Sequence, residues 1–141
     1  MNREIKFRVW DLQSKCWIGR TSNDWVGTSI GNVGTYDQQP WKCMSLEGKI
    51  MSNDNMGGFI DSNQKDYIIH QYTGVKDANG KEIYEGDIVK FTNWPNEPNR
   101  EIIFLGGVFT YKNTFYDWDG LLYTEKCVIV GNIFENSDLI K

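Results

Sequence analysis

Hydrophobic and polar side chains alternate along the first strand-like segment of the chain. Ile5, Phe7 and Val9 fall on one side of an extended chain, whereas the charged residues between them, and Trp10, fall on the other. This period of two is typical of a half-buried β-strand. A polar run and then the apolar segment CWIG follow, so the pattern predicts that the chain begins with a β-hairpin.

The clearest hairpin signal is the segment REIIFLGGVFTYK, residues 100–112. If its Gly-Gly pair forms a two-residue turn, Phe104 lies opposite Phe109, and Glu101 lies opposite Lys112. One face of the hairpin is then apolar. A slip by one residue would move that face to the opposite side, so the register is strongly fixed.

The segment QYTGVKDANGKEIYEGDIVKF, residues 71–91, is the most distinctive part of the chain and carries two turn signals. Asn79 and Gly80 favour a type I′ turn, in which both central residues have positive φ. Asp77 can brace that turn by accepting hydrogen bonds from backbone amides. A second Gly-Asp turn then leads into the strand DIVKF, so the segment is predicted to be a corner rather than a site.

The turn signals also divide the chain. Residues 75–87 are predicted to form a corner that connects an N-terminal β-hairpin lobe, residues 1–74, to a C-terminal lobe, residues 75–141. Four or five antiparallel strands with short hairpins in the second lobe close most readily into a small SH3-like barrel. The pattern therefore predicts a mostly β protein. An α+β fold is possible, since a short helix could form at residues 121–126.

Residues 71–91, the opening REIKFRVWD and the tail VIVGNIFEN resemble the YopX family of phage and prophage proteins. The resemblance extends from Arg3 to Asn136, although residues 21–66 contain no matching motif. It implies an N-terminal lobe followed by an SH3-like barrel, and a protein without an established activity. The resemblance supplies no catalytic residues, which supports the interpretation of residues 71–91 as scaffold.

Charge and cysteine content narrow the possible functions and locations. The net charge is −4, and residues 71–141 contain 7 Lys and Arg against 11 Asp and Glu, the opposite of what phosphate binding favours. The 3 cysteines have no CxxC pair, which fits neither a disulfide framework nor a zinc site. The opening MNREIKFRVW alternates charged and apolar residues, so we expect no signal peptide, and no apolar run approaches about 18 residues. We therefore expect a cytoplasmic protein of a bacterial host cell, without membrane contact.

No set of residues has the spacing of a catalytic or metal site. His70 is the only histidine, and no second ligand lies at zinc spacing, so it is predicted to be structural. Glu82, Glu85 and Asp87 are close in sequence, but residues separated by one turn rarely converge into an acid–base pair. We expect no enzymatic activity, no metal and no cofactor. A hydrolase would need His70 in an open cleft.

Loop residues of the second lobe are the candidate binding surface. These residues are Trp94, Tyr116, Asp117, Trp118 and Asp119. Their aromatic and acidic side chains would suit an extended peptide with basic residues. Alternatively, they would anchor the loops to the barrel. We predict a phage or prophage accessory protein that serves as a protein-binding or assembly module, with a phage or host protein as partner. The alternative is a small barrel that binds single-stranded nucleic acid. This alternative requires a basic groove formed by Lys6, Arg8, Lys90, Arg100 or Lys112.

The aromatic content predicts self-association. The chain has 6 Trp, 7 Tyr and 7 Phe, more than a small two-lobed monomer readily buries. We expect a homo-oligomer with two favoured contact surfaces. One is the N-terminal hairpin, whose charged face carries Trp10, and the other is the Gly-Gly hairpin, whose second face carries Ile103, Leu105 and Val108.

Overall fold

The computed structural model of the protein describes residues 5–17, 42–44, 50–53, 59–61, 64–113, 120–121 and 124–140. Across these residues the chain is mostly β, as the sequence pattern predicts. The strands are β1 Phe7–Asp11, β2 Cys16–Trp17, β3 Lys42–Met44, β4 Ile50–Asn53, β5 Phe59–Asp61, β6 Tyr67–Lys76, β7 Glu82–Tyr84, β8 Asp87–Phe91, β9 Arg100–Leu105, β10 Val108–Tyr111 and β11 Cys127–Asn132. Short 3-10 helices are Gln64–Asp66, Thr124–Lys126 and Ser137–Ile140.

The chain folds as two compact units. One unit is Lys6–His70, and the other is Gln71–Lys141 together with Met1–Ile5. The division falls inside β6, after His70. The lobe boundary expected at residues 74–75 stays a prediction.

The unit Lys6–His70 contains the N-terminal hairpin that the sequence predicts. β1 pairs with β2 in antiparallel register, and the Asp11 carboxylate accepts hydrogen bonds from the backbone N–H groups of Gln13 and Ser14 at 2.9 and 3.1 Å. β3, β4 and β5 form a second antiparallel sheet. Among the described residues of this unit, Val9 and Ile50 form a buried cluster, against which Phe7, Tyr67 and Ile69 pack.

Trp10 differs from its prediction. It is only 5% exposed, although alternation places it on the charged face of β1. The register sets Trp10 opposite Trp17, and the two rings meet edge to face with centroids 5.0 Å apart. Cross-strand aromatic pairing therefore contributes to the burial of a side chain that the sequence pattern leaves in solvent.

The second unit contains a four-stranded antiparallel sheet in the order β10-β9-β8-β11, which curls into a half-barrel as expected for a small barrel. The Gly-Gly hairpin has the predicted register, with Phe104 opposite Phe109 and Ile102 opposite Tyr111. The Lys112 ammonium donates to the Glu101 carboxylate at 2.8 Å, so the predicted charge pair is also present. Among the described residues of this unit, one buried hydrophobic cluster comprises Ile83, Val89, Phe91, Ile102, Tyr111 and Cys127.

The chain reverses at residues 77–81, which we call the corner loop, but its turn is not type I′. Gly80 has φ of +78°, whereas Asn79 is not among the residues with positive φ. The Gly80 N–H donates to the Asp77 carbonyl at 3.0 Å, and the Asp77 N–H donates to the Lys81 carbonyl at 2.9 Å. These bonds define a three-residue loop in which only the last residue is left-handed.

The tail segment GNIFEN forms a compact turn after β11. Asn132 Oδ1 accepts from the N–H groups of Phe134 and Glu135, both at 3.0 Å. A Cβ on Gly131 would lie 2.5 Å from Asn136 Oδ1, so only glycine leaves room for this packing. The tail motif is thus explained by local structure.

In the part of the chain that the structure describes, no helix has the length and apolar character needed to cross a membrane.

Candidate functional site

The β9–β10 hairpin ends in an apolar tip. Residues 102–109 contain no charged side chain, and the turn uses Gly106 and Gly107 with φ of +61° and +89°. Three large apolar side chains next to this turn are exposed: Phe104 by 53%, Leu105 by 48% and Val108 by 38%. We call these three side chains the apolar tip.

The tip is exposed because the hairpin extends beyond the core that supports its base. Ile102 and Tyr111 lie on the same hairpin face as Phe104 but farther from the turn, and both are buried. Phe104 instead packs against the ring of Phe109, with centroids 5.0 Å apart. On the other face, Leu105 lies opposite Val108, so both faces of the tip present apolar side chains.

An open groove of about 450 Å³ adjoins the apolar tip. Its lining comes from β6, from the hairpin and from the segment that precedes β11: Gln71, Thr73, Val75, Phe104, Gly107, Val108, Phe109 and Leu121. All eight residues belong to one compact unit, and none of them is charged. We call this feature the tip groove.

Among its described lining residues, the tip groove offers one polar side chain for binding. The Thr73 hydroxyl is already used, because it donates to the Ile83 carbonyl at 2.8 Å and accepts from the Val75 N–H at 3.3 Å. The Gln71 side-chain amide makes no hydrogen bond to any described residue. It therefore supplies both a donor and an acceptor at the edge of an apolar surface.

The corner loop has a structural role. Asp77 Oδ1 accepts from the N–H groups of Asn79 and Lys81, each at 2.9 Å, and Oδ2 accepts from the Ile129 N–H at 3.0 Å. Burial alone raises the pKa of Asp77, but these hydrogen bonds outweigh it, so the pKa lies below its ordinary value. The carboxylate fastens the loop to β11.

The neighbouring acidic residues also serve local structure. The Asp87 carboxylate accepts from the Tyr84 N–H at 2.8 Å, and the Glu82 carboxylate accepts from the Tyr84 hydroxyl at 3.1 Å. Both carboxylates thus bind the same tyrosine, which accounts for their closeness in sequence.

His70 lies in the other unit and is buried, with 5% exposure. Its ring centroid is 6.1 Å from that of Trp17. Burial, and then the charge of Arg8, lower the pKa of His70 to about 4, so the imidazole is neutral at neutral pH. A hydrolase that used His70 as its base would need this residue in an open cleft, whereas it is buried.

The structure describes only one of the sequence-predicted surface residues. Trp94 is 41% exposed, and its ring packs edge to face against Phe91 with centroids 5.6 Å apart. The Lys126 ammonium lies 5.7 Å from the Trp94 ring centroid. The other four residues, Tyr116, Asp117, Trp118 and Asp119, lie outside the described residues, so the proposed aromatic surface stays a prediction.

Sequence reasoning identified the hairpin but not the tip groove. The groove combines residues 71–75 with residues 104–109, and no local pattern shows that these segments meet. Its one sequence signal is the uncharged run across the Gly-Gly turn. Among the described residues, no group of three or more His, Cys, Asp or Glu side chains could hold a metal ion.

Comparisons with known proteins agree on the fold. The crystal structure of protein EF1440 from Enterococcus faecalis is similar to this chain, with 24% identity, a TM-score of 0.59, and coverage of 99% of this chain and 100% of that chain. The crystal structure of protein YopX from Bacillus subtilis is also similar, with 19% identity, a TM-score of 0.56, and coverage of 96% of this chain and 95% of that chain. At such identities the similarity shows the fold alone.

No curated protein sequence matches the chain significantly. The family model described as YopX protein matches residues 6–141, which is nearly the whole chain. The chain therefore belongs to the YopX family.

Proposed function

We propose that the protein is a non-enzymatic, protein-binding accessory module of a phage or prophage, which acts in the cytoplasm of the bacterial host. Its contact surface is the apolar tip together with the tip groove. The observation that carries this proposal is the exposure of three large apolar side chains, Phe104, Leu105 and Val108, beside a groove whose described lining residues are uncharged. Contiguous exposed apolar surface of this kind typically marks a protein contact.

The hairpin is well prepared for binding. Its register is fixed by backbone pairing, and the Glu101–Lys112 pair at 2.8 Å closes its base. Phe104 is already held against Phe109. Binding therefore orders few additional side chains, and a preorganised surface loses less affinity to entropy.

The chemistry of the groove defines the partner's contact segment. Because no charged residue is among the described residues that line the groove, the segment that enters it should be apolar and uncharged. The Gln71 amide could then bond to a backbone N–H or C=O of that segment. The predicted surface around Trp94 would be a separate contact that selects basic residues.

The charges of the second unit favour a protein partner over single-stranded nucleic acid. Arg100 pairs with Glu97 at 3.2 Å, and Lys112 pairs with Glu101 at 2.8 Å. Two of the cations that a basic groove would need are thus compensated by carboxylates, which weakens their attraction for phosphate. Cys16 and Cys127 are free thiols, which fits the reducing cytoplasm.

Affinity capture from bacterial host cells tests the proposal with a matched pair of variants. Val108→Glu places a charge on the apolar tip, whereas Val130→Glu places the same charge at the opposite edge of the same sheet. The two valines are 38% and 37% exposed. We expect a partner protein that the wild type and Val130→Glu recover equally and that Val108→Glu loses at least tenfold.

Recovery of no protein with this dependence would contradict the proposal. Nuclease treatment before capture tests the alternative function, binding of single-stranded nucleic acid. If the recovered material depends on nucleic acid rather than on Val108, the single-strand-binding function is favoured instead.

A further inference from the structure

Asn79 and Gly80 form the only Asn-Gly pair of the sequence, and the function proposed above does not use them. An asparagine that precedes glycine loses ammonia from its side-chain amide most readily, because glycine has no side chain to hinder attack by its backbone nitrogen. We propose that Asn79 is a site of spontaneous deamidation, and that Asp77 restrains the reaction for as long as the corner loop stays closed.

The Asn79 side chain is accessible to the water that the reaction needs. Asn79 and Gly80 are both exposed, and the Asn79 side-chain amide makes no hydrogen bond to any described residue. A Cβ at Gly80 would meet no atom within 4 Å, so solvent reaches this side of the peptide as well. Neither burial nor a bond to a described residue therefore protects the amide.

The reaction joins the Gly80 nitrogen to the side chain of Asn79. Hydroxide takes the Gly80 N–H proton, the nitrogen bonds to Asn79 Cγ, and the Cγ–Nδ2 bond breaks as ammonia leaves with a proton from water. Water then opens the cyclic imide. Attack at Cγ gives aspartate, whereas attack at the Asn79 backbone carbonyl gives isoaspartate, in which the chain runs through Cβ. An amide and water thus become a carboxylate and ammonium, without oxidation or reduction.

The closed loop keeps the Gly80 nitrogen away from Asn79 Cγ. The Gly80 N–H donates to the Asp77 carbonyl at 3.0 Å, and neither Ala78 nor Asn79 has positive φ, so residues 77–80 form a type I turn. The third residue of such a turn has ψ of about 0°, which places the following nitrogen over its own backbone nitrogen rather than beside Cβ. Attack therefore requires the hydrogen bond to break and the peptide group to rotate.

The charge of Asp77 is a second restraint. Its Oδ1 accepts from the N–H groups of Asn79 and Lys81, each at 2.9 Å, so the carboxylate lies against the peptide groups on both sides of the Gly80 nitrogen. Removal of the Gly80 proton creates a negative charge close to this carboxylate, and repulsion raises the free energy of the reactive anion. One side chain therefore both closes the loop and opposes the chemistry.

The products should loosen the same loop. Isoaspartate adds a methylene carbon to the backbone between Asp77 and Lys81, and so displaces the Lys81 groups that bond to Asp77. Either product also places a new carboxylate close to that of Asp77, where like charges repel. Because water does not reverse the reaction, deamidation is a one-way change that weakens the attachment of the corner loop to β11.

Peptide mapping by mass spectrometry tests the restraint on the full chain at mildly alkaline pH. The samples are the native wild type, native Asp77→Ala and the wild type unfolded in guanidinium chloride. We expect Asn79 to convert at least tenfold more slowly in the native wild type than in the unfolded chain, with Asp77→Ala approaching the unfolded rate. Asp138→Ala, which removes an exposed carboxylate elsewhere, should convert like the native wild type.

Asn96 is an internal control in every sample. It is exposed, and its side chain makes no hydrogen bond to any described residue, but Glu97 follows it instead of glycine. Asn96 should stay largely unconverted while Asn79 reacts. Equal rates at the two asparagines would overturn the assignment of Asn79 as the site.

Two results would overturn the role of Asp77. Conversion in the native wild type as fast as in the unfolded chain would show that the closed loop gives no protection. Conversion in Asp77→Ala as slow as in the wild type would show that the protection has another source. Circular dichroism checks that Asp77→Ala is folded, and the comparison of native with unfolded wild type stays decisive if it is not.

Urea denaturation of the converted protein tests the effect on the loop. The converted protein carries an additional negative charge, so ion exchange separates it from the unconverted protein. Its unfolding midpoint should lie below that of the wild type, and below that of Asn79→Asp, which contains the aspartate product alone. A converted protein as stable as Asn79→Asp would contradict the loosening of the loop by isoaspartate.

Discussion

The corner loop and the apolar tip are both tight reversals in the same compact unit, and both use glycine in the left-handed region. Gly80 has φ of +78° and Gly106 has φ of +61°. In the corner loop, the side chain of Asp77 bonds to three backbone N–H groups, and one of them, from Ile129, belongs to β11. In the tip, the turn displays Leu105 and other large apolar side chains to solvent.

This difference distinguishes the corner loop, whose residues serve the fold, from the apolar tip, whose residues can serve binding. In the corner loop, the backbone geometry explains Gly80, and three accepted hydrogen bonds explain Asp77. The tip needs its glycines for the turn, but folding does not require Phe104 or Leu105 to be large and apolar where they are half exposed. Residues that the fold does not explain are the better indication of function.

Removal of the Asp77 carboxylate should have the largest effect on stability. Asp77→Ala leaves the N–H groups of Asn79, Lys81 and Ile129 without their charged acceptor, so we expect a loss of about 4 kcal/mol in the free energy of unfolding. Urea denaturation measures it. Asp138→Ala, at an exposed residue of the last 3-10 helix, is the control and should cost less than about 0.5 kcal/mol. A loss below about 1 kcal/mol for Asp77→Ala would mean that water replaces the carboxylate.

As the pH falls, protonation of His70 should destabilise the protein before protonation of Asp77 in the corner loop does. The pKa of His70 is lowered from 6.5 to about 4, so the unfolded chain binds a proton at higher pH than the folded chain does. Stability should fall by about 3 kcal/mol as pH drops across this window. The pKa of Asp77 is also lowered, from 3.8, and the stability that it contributes should be lost only below that pH.

Denaturation measured at several pH values separates the contribution of His70 to stability from that of Asp77. His70→Gln should flatten the slope between pH 6.5 and about 4 and leave the loss at lower pH in place. An unchanged slope in that variant would show that other groups titrate there.

The two glycines should be equally sensitive to substitution. A Cβ at Gly80 or Gly106 meets no atom within 4 Å, so only the positive φ opposes alanine. Gly80→Ala and Gly106→Ala should each cost about 1 kcal/mol, measured by thermal denaturation. A much larger loss of stability in Gly80→Ala would show that strain in this turn extends, through the hydrogen bonds of Asp77, to residues outside it.

The smallest effect on stability is expected at the tip. Leu105→Ser should change the free energy of unfolding by less than about 0.5 kcal/mol, because the side chain is 48% exposed. It should nevertheless weaken the predicted self-association at least tenfold, measured by light scattering after size exclusion. Leu12→Ser, at a leucine that is 42% exposed in the other unit, is the matched control for both measurements. If Leu105→Ser lost stability but kept its self-association, the tip would serve the fold rather than binding.

The sequence predicted the Gly-Gly hairpin in full, because its register follows from local pairing around a two-residue turn. It predicted the reversal at Asn79 and Gly80 but not the turn type. There, the carboxylate of Asp77 binds both Asn79 and Lys81 and thereby selects a three-residue loop. Such a side-chain hydrogen bond competes with the preference of Asn-Gly for a type I′ turn. The Asn-Gly pair alone does not reveal which of the two effects is larger.

Tertiary contacts account for the remaining differences. Trp10 was predicted to be exposed, but it is buried by Trp17, a partner that strand alternation alone does not identify. The tip groove depends on the meeting of β6 with a hairpin about thirty positions later, and that distance is beyond the reach of periodicity. The predicted contribution of Trp10 to an exposed oligomer surface is therefore wrong, while the tip remains available for it.

We expect the two oxygens of Asp77 to find their hydrogen-bond donors at different stages of folding. Oδ1 binds N–H groups two and four residues away, whereas Oδ2 binds one that is 52 residues away. A contact across so long a stretch pays a larger loop-closure entropy and cannot form until β11 joins the sheet. Interactions made after the transition state slow unfolding without accelerating folding. If β11 joins the sheet after the transition state, the bond from Ile129 to Asp77 acts on the lifetime of the native state, while the short-range bonds of the same carboxylate help the chain to reverse early.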